Sequence, residues 1–417
     1  MILQKSCTSS LVACNIYITA AATASSTLPS LLARAQDHCR QLRLQNCTQK
    51  QQEEEQIDSS SNNNKRSVAA AIVHAYADIP YDRSSFHLAG QSDCVAEVAI
   101  GLIQNALNEI EVPSNHLSSN KNGADANDAT KLTTGDKPKE TRHPYVGLVD
   151  HVSVMPIACK EEDSTTTNSN AAMNAANAAR KIGSAISDKN SINMHYYGLA
   201  CPNQTSLATV RRRKTSFFNS GGAFDSSGCN EVDSSNNNND IPKQQSQKCH
   251  YEKGECTIGT PPQFVENYNI RLTRNVDFNT AKTLTQALRG RNISTKEGMG
   301  VPGVEALTLP YHRDASLGGD VFEVACNLTE PKDGSVEKIE EQLEKWIAEQ
   351  QQQQQHQLLS NLGEVNSKRN RDFYIEKAYR VGTTEEQCIN ILNDEEDNRW
   401  IKHDIQVLTR FKEYLMA

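Results

Sequence analysis

The sequence predicts an α+β protein made of two ferredoxin-like α/β subdomains, each a mixed sheet with its helices on one face. Strand-like and helix-like runs alternate along the chain, and in the first half their order is β-α-β-β-α-β, the split arrangement of ferredoxin-like folds. A second series of strands and helices follows a long polar segment. The two series show no sequence repeat, so the expected repetition is one of architecture.

The arrangement of apolar residues predicts the strands and helices of the first half. The clearest is the helix at 94–110, where Val95, Val98, Leu102 and Leu107 share one face with other apolar residues. Apolar runs predict strands, and helical spacing predicts the remaining helices. The strands are expected at 11–19, 67–77, 84–89, 146–155 and 194–199, and the other helices at 26–42, 170–186 and, with a basic character, 206–218.

The second half follows the same logic. Thr383 or Thr384 is a good N-cap for a helix at 384–392, and Glu385 and Glu386 suit the positive end of that helix. The other helices are expected at 279–289, 336–349 and 403–414, and the strands at 257–258, 268–273, 304–310, 321–328 and 373–381.

Polar low-complexity stretches interrupt both halves. They are rich in Gln, Asn, Ser, Glu and Lys, and cannot bury enough apolar surface to offset the entropy of ordering. We expect a first subdomain at 11–222 and a second at 256–415. The four stretches fall at 43–66, 113–142, 223–255 and 349–371, and we interpret the third as a disordered insert between the subdomains.

Composition excludes several classes of function. No run of 18 apolar residues exists among the 417, which argues against a membrane span, and the net charge of −8 argues against a general nucleic-acid binder. The 12 cysteines form no CxxC pair, so we expect reduced thiols and no metal site. Residues 1–36 lack Asp and Glu as transit peptides do, but 11–19 reads as a strand. We therefore expect an uncleaved cytoplasmic protein.

Few residues suggest chemistry by themselves. The chain has no P-loop, HExxH, GxSxG or dinucleotide fingerprint. His143 precedes a proline at the start of a strand and could act as a general acid–base, whereas Asp150 is expected on the opposite face from His151. An arginine at 83, in the charged turn that begins at Asp78, could hold a carboxylate.

A short basic run at 211–214 admits two interpretations. It is most simply a solvated helix end, and it could also attract a phosphate, a nucleic acid or the polyglutamate tail of a folate.

Six segments resemble, in the correct order, those of the formiminotransferase family, and particularly the stand-alone plant and algal formiminotransferase-like proteins without a cyclodeaminase domain. They cover most of the globular residues between about 11 and 393. They are Asp78…Asp82-Arg83 followed by Gly90, HPYVGLVDHVSVMPIAC at 143–159, YYG at 196–198, IGT at 258–260 with VENYN at 265–269, GVPGVEA at 300–306, and EVACNLTEP at 323–331.

The resemblance implies transfer of a formimino group from N-formimino-L-glutamate to tetrahydrofolate, which is a co-substrate, in a groove between two α/β subdomains. It implies His143 as the catalytic general acid–base. The substrate would be positioned by Asp78, Asp82, Arg83 and Tyr145. The folate would be bound by Gly198, Gly259, Thr260, Gly300, Val301, Val304 and Glu305. Partners would be small molecules, and the family domain tends to form a homodimer.

Four departures from the family pattern support an alternative. Tyr145 stands where the family has Arg, Asp82 stands where it has Asn, the Asp-Phe-Gly-Pro segment is missing, and the loop after the first strand reads IYITA at 16–20. A phenol cannot replace the charge or the fork of a guanidinium. The alternative is therefore a catalytically inactive homologue that acts as a folate-binding or protein-interaction module.

Overall fold

The computed structural model describes ten segments of the chain. They are residues 11–54, 69–111, 145–157, 164–190, 192–215, 254–290, 300–311, 321–359, 371–393 and 397–416.

The first half is a six-stranded sheet in the order β2-β3-β1-β4-β6-β5. Its strands are β1 (Leu11–Ile18), β2 (Ala70–Asp78), β3 (Arg83–Gln91), β4 (Val149–Pro156), β5 (Asn193–Gly198) and β6 (Glu255–Thr260). Its helices are α1 (Leu28–Glu54), α2 (Ser92–Glu109), α3 (Ser164–Asn190) and α4 (Leu207–Arg213). β1 pairs antiparallel with β3 and β4, and β2 with β3, whereas β6 pairs parallel with β4 and β5.

The second half repeats the first four-strand unit. β7 (Glu266–Leu272), α5 (Phe278–Leu288), β8 (Val304–Tyr311), β9 (Val321–Leu328), α6 (Val336–Leu359), α7 (Arg371–Tyr374) and β10 (Ile375–Val381) form a sheet of order β10-β7-β9-β8. In both halves the chain order strand-helix-strand-strand-helix-strand gives the same spatial order of strands. This confirms the predicted α+β class and the two ferredoxin-like units.

Each sheet has a strongly apolar face, because successive strand residues point to opposite sides. The first sheet also has a smaller apolar cluster on its opposite face, where Ala13 and Ala71 pack with Cys388 and Leu392. In β1, Val12, Cys14 and Ile16 are fully buried with residues of α1, α2 and α3. In the second half, Ile270 and Val324 pack with residues of α5 and α6. The opposite, more polar faces are therefore available to form a site.

The last two helices return to the first sheet. α8 (Glu385–Leu392) begins with a capping box between Thr384 and Gln387, as the N-cap prediction required, and packs against β2 and β3. α9 (Asp397–Met416) packs along β2, where the Phe411 ring lies 5.4 Å from the Phe86 ring. The C-terminal helix thus belongs to the core of the first half.

Several boundaries differ from the sequence prediction, and three of them concern the polar stretches and the division between the subdomains. α1 continues into the polar stretch predicted at 43–66, and α6 into the one at 349–371, because Gln, Glu and Lys are good helix formers once packing anchors the first turns. The boundary at 256 assigned β6 to the second subdomain. β6 instead extends the first sheet by parallel pairing with β4 and β5. The stretch at 113–142 lies outside the described residues, as does nearly all of 223–255.

The position of Phe411 makes the contribution of α9 measurable. Phe411→Ala should lower the free energy of unfolding by about 3–5 kcal/mol, because it empties a fully buried aromatic site. Ile405→Ala on the same helix, where 59 % of the residue is exposed, should change it by less than about 0.5 kcal/mol. Urea unfolding of both variants checks this, and equal effects would contradict the packing of α9.

Candidate functional site

The polar faces of the two sheets meet each other. The Tyr17 hydroxyl of β1 lies 3.5 Å from Oδ1 of Asn267 in β7, and the Tyr81 hydroxyl reaches Glu323 of β9 at 3.3 Å. Gly382, in the turn between β10 and α8, has a φ of +86° and lies directly against His87 of β3. A Cβ at this position would be 2.4 Å from the His87 ring. These contacts join the halves around a polar interior, which is where a site shared by both halves would form.

A buried charged group dominates the first-half side of this interior. Nη2 of Arg83 and Nη2 of Arg211 donate to the same Oδ2 of Asp150, at 2.6 and 3.1 Å. The Val146 amide donates to the other carboxylate oxygen at 3.0 Å. Asp150 is fully buried, so these interactions replace the hydration that its charge has lost. We call Arg83, Asp150 and Arg211 the arginine cluster.

An irregularity in β4 directs Asp150 into this cluster. The pairing of β1 with β4 shifts register between Tyr17 and Ile18, which face His151 and Val149. Asp150 is the extra residue of the bulge, and a bulge can bring two successive side chains to one side of a sheet. The expectation that Asp150 and His151 point to opposite faces is therefore wrong, because it assumed regular alternation.

Aromatic rings line the arginine cluster. The Tyr17 ring stacks on His151 at 5.6 Å and lies 4.8 Å from the Arg83 guanidinium carbon. Nε2 of His151 lies 3.0 Å from the Tyr197 hydroxyl, which donates to Ser153 at 3.0 Å. Burial and the two nearby arginines hold the pKa of His151 well below its usual range. His151 is thus neutral near pH 7, and a neutral aromatic wall surrounds the charges.

A second charged group lies on the second-half side. Glu323 is fully buried and accepts hydrogen bonds from Tyr379 at 2.6 Å and from Asn269 at 2.8 Å. Arg271 lies 3.4 Å from the same carboxylate, and its guanidinium carbon sits 3.6 Å from the centre of the Tyr311 ring. Residues of β7, β9 and β10 therefore converge on one carboxylate.

Asp78 is a predicted site residue whose pKa is raised by its surroundings. Burial, followed by the nearby charge of Glu323, raises the pKa of Asp78 to about 6. Its carboxylate accepts hydrogen bonds from the Tyr81 amide at 3.2 Å and the Tyr76 hydroxyl at 3.3 Å. A carboxyl group of this pKa can exchange a proton near neutral pH, which suits general acid–base chemistry.

The substrate-positioning residues predicted from the sequence are only partly brought together. Asp78 and Arg83 flank the β2–β3 turn and face the polar interior. Asp82 turns towards the loop after β1, where it accepts hydrogen bonds from Ala21 at 2.7 Å and from Thr23. Tyr145 is half-buried just before Val146. His143, the predicted catalytic residue, lies outside the described residues.

The predicted folate residues fall in two separate places. Gly198 ends β5 opposite Thr260, and Gly259 lies opposite Tyr197, so three of them share the β5–β6 edge. Gly198 has a φ of +57°, and a Cβ there would lie 2.0 Å from the Thr260 carbonyl oxygen. The other four lie where the α5–β8 connection enters β8. Gly300 and Val301 precede the strand, and Val304 and Glu305 begin it. Val301 and Val304 belong to the helix-covered core, whereas Glu305 is exposed.

Sequence reasoning missed most of the charged interior. The basic run at 211–214 was interpreted as a solvated helix end or as a site for an anion. Arg211 is instead buried against Asp150, while Arg212 and Arg213 are exposed. The available sequence signal was its place directly after Val210, and these two are the buried residues of α4. Glu323 and Arg271 had no comparable signal, because each stands singly in a strand.

Comparison with protein-family models concerns the segment that supplies Asp150 and Arg211 to the arginine cluster. Residues 137–260 match the formiminotransferase domain, N-terminal subdomain. The match spans β4, α3, β5, α4 and β6, and it includes His143, Asp150 and Arg211. It supports a relationship with the formiminotransferase family. No curated protein matches the chain.

The described segments hold neither a membrane-spanning helix nor a metal-binding cluster. None of their helices combines the length and apolar character that crossing a bilayer would need. Within the same segments, no group of three or more His, Cys, Asp or Glu side chains is arranged to hold a metal ion.

The raised pKa of Asp78 gives a pH-dependent prediction. Its folded-state pKa of about 6 exceeds the ordinary value of 3.8, so the native state binds a proton more tightly. The stabilisation from this proton is complete below about pH 4 and is lost as the pH rises through 6. Asp78→Asn has no such loss. Its stability relative to the unmodified protein should therefore rise by about 3 kcal/mol between pH 4 and pH 7.

Urea unfolding at several pH values measures this change. Asp93→Asn removes the charge of a side chain that is 87 % exposed, and its difference from the unmodified protein should stay within about 0.5 kcal/mol over the same range. A pH-independent difference for Asp78→Asn would show that the Asp78 carboxyl group is ionised without cost in the folded protein.

Proposed function

We propose that the protein is a folate-dependent formimidoyltransferase-like enzyme that transfers a formimino group from N-formimino-L-glutamate to tetrahydrofolate. One observation carries the proposal. The segment that matches the formiminotransferase domain contributes Asp150 and Arg211 to a buried cluster with Arg83, on the face where the two halves meet.

The chemistry of the substrates fits this cluster. N-formimino-L-glutamate and the glutamyl tail of tetrahydrofolate both carry carboxylates, and guanidinium groups bind carboxylates in a directed, often bidentate manner. Arg83 and Arg211 are largely buried, and Arg83 lies against the Tyr17 ring, so electrostatic attraction is stronger there than in water. A carboxylate entering this region could interact with either arginine beside Asp150.

The reaction needs a proton carrier next to the reacting carbon. N5 of tetrahydrofolate attacks the formimino carbon to form a tetrahedral intermediate. The bond from that carbon to the glutamate nitrogen then breaks, and the leaving nitrogen takes a proton while N5 loses one. We assign this transfer to His143 as general acid–base. The assignment is supported by Val146, three residues later, whose amide is bound to Asp150.

Two nearby arginines compensate for one departure from the family pattern, the loss of the Arg after His-Pro. Tyr145 replaces the family's Arg after His-Pro, which removes a guanidinium close to His143. Two other guanidinium groups, from Arg83 and Arg211, bind the carboxylate that holds Val146. We propose that they supply the positive charge that Tyr145 does not, with Asp78 as a second proton-exchanging group.

The remaining assignments are part of the same proposal. Tetrahydrofolate would run past the β5–β6 edge at Gly198, Gly259 and Thr260, towards the α5–β8 connection. We propose a cytoplasmic protein that can form a homodimer and whose partners are these small molecules.

A second candidate is favoured by Tyr145, which stands where the family has Arg. If the missing arginine is essential, the protein binds folate or a protein partner without turnover. Asp82 does not decide between the two, because its carboxylate is engaged by the β1 loop and not by the polar interior.

His143 gives the direct test of catalysis. His143→Ala should lower kcat for formimino transfer by about 10²–10⁴-fold, which is the usual contribution of a general acid–base to the rate. Calorimetry should still detect binding of 5-formyltetrahydrofolate to this variant. His38→Ala is the matched control, since its ring pairs with Glu97 on the helix-covered side. Folate binding without turnover by the unmodified protein would establish the second candidate, and the absence of both would refute the proposed function.

Arg211 tests the assigned substrate contact. Arg211→Lys should raise KM for formiminoglutamate about tenfold, because an ammonium group cannot reproduce the planar fork that reaches both Asp150 and a substrate carboxylate. Arg212, the exposed neighbour of Arg211 on the same helix, provides the control, and Arg212→Lys should leave KM unchanged. Steady-state kinetics decide the matter, and an equal KM for the two variants would remove Arg211 from the binding site.

A further inference from the structure

The β2–β3 turn contacts three different parts of the protein through three consecutive residues. Tyr81 points into the second half, Asp82 binds the loop after β1, and Arg83 binds Asp150 of β4. Asp82 has a φ of +48°, and its amide donates to the Ile79 carbonyl at 3.0 Å. A tight turn of this kind leaves little freedom between its residues. A displacement of Tyr81 is therefore transmitted to Arg83.

Tyr81 is firmly seated in the second half. It is 5 % exposed, and it packs with Leu309, Tyr311 and Val321 of β8 and β9. Its ring meets that of Tyr311 edge to face, with centroids 5.1 Å apart, a favourable aromatic geometry. Its hydroxyl donates to Oε1 of Glu323 at 3.3 Å. The first half thus reaches the second sheet through a residue two positions from Arg83.

Glu323 is a fixed acceptor for that hydroxyl. Asn269 donates to the same Oε1 at 2.8 Å, while Tyr379 at 2.6 Å and Arg271 at 3.4 Å donate to Oε2. These donors come from β7 and β10, the two neighbouring strands on one side of β9. The carboxylate cannot follow Tyr81 if the turn moves. The contact therefore locates the turn relative to the second sheet.

We propose that Glu323, acting through Tyr81, is a positioning residue that holds Arg83 in the substrate-binding geometry, so that the second half sets the substrate affinity of charged groups carried by the first. The identity of the substrate rests on the proposed function, whereas the effect on Arg83 does not.

Chemical protection of Arg83 tests the positioning directly. Phenylglyoxal modifies accessible arginines, and the Arg83 side chain is 16 % exposed and ion-paired. Mass spectrometry of the labelled full chain should show that modification of Arg83 becomes about tenfold faster in Tyr81→Phe and in Glu323→Gln, because each loses a hydrogen bond to a charged group. Modification of the exposed Arg212 is the internal reference and should not change.

Matched variants on the other face of the same sheet separate positioning from general loosening. Tyr268 of β7 donates to Glu340 at 2.5 Å on the helix-covered side. Tyr268→Phe and Glu340→Gln remove the same kind of bond and should leave Arg83 protected. The double variant Tyr81→Phe/Glu323→Gln should label no faster than either single variant, since both single variants act on the same Tyr81–Glu323 hydrogen bond. Additive effects would overturn the inference.

Kinetics provide the second readout. Tyr81→Phe and Glu323→Gln should raise KM for formiminoglutamate about tenfold while kcat stays within about twofold, the pattern of lost ground-state binding. Unchanged Arg83 labelling in folded variants would refute the positioning role, whatever the activity. Faster labelling in a protein that never turns over formiminoglutamate would keep the positioning role and refute the proposed substrate.

Discussion

The burial of Asp150 is the constraint on which the site depends. A carboxylate removed from water costs several kcal/mol unless ion pairs and hydrogen bonds replace its hydration. Here the replacements come from β3, from α4 and from the segment that leads into β4, through Arg83, Arg211 and Val146. These elements are far apart in sequence. The charge of Asp150 is therefore tolerated only when the central strands and α4 are assembled, which ties the candidate site to the completed first half.

The same logic extends across the two halves. The polar faces of the sheets would be costly to bury against apolar surface, but here polar groups of the two faces form hydrogen bonds with each other. Glu323 receives donors from its own sheet and from Tyr81, and Tyr17 approaches Asn267. Two units of similar topology, each covered by helices on its apolar side, thus enclose a polar interior. A site built at such a junction draws residues from both units, which is a common location for small-molecule sites.

The fold was predictable because its information is local. Strand alternation and helical spacing place nearly every element, and the capping residues mark the start of α8 at Thr384. The errors occurred where tertiary packing overrides local composition. α1 and α6 continue through polar residues that alone would not be expected to order, and β6 joins the first sheet by parallel pairing that no local pattern encodes. The candidate site was harder to predict, since Asp150 depends on a bulge and Arg211 on the orientation of a short helix.

The α+β class, the two series of elements and the turn that carries Asp78 and Arg83 follow from the amino-acid sequence alone, because hydrophobic period and turn chemistry act over a few residues. Three pairings emerge only from the assembled fold. They are those of Arg211 with Asp150, of Asp82 with the loop after β1, and of Glu323 with Tyr81. Those partners lie between about 60 and 240 residues apart along the chain. Their pairing is selected by the cost of leaving buried charges and hydroxyls without partners, a cost that exists only once the two sheets have closed on each other.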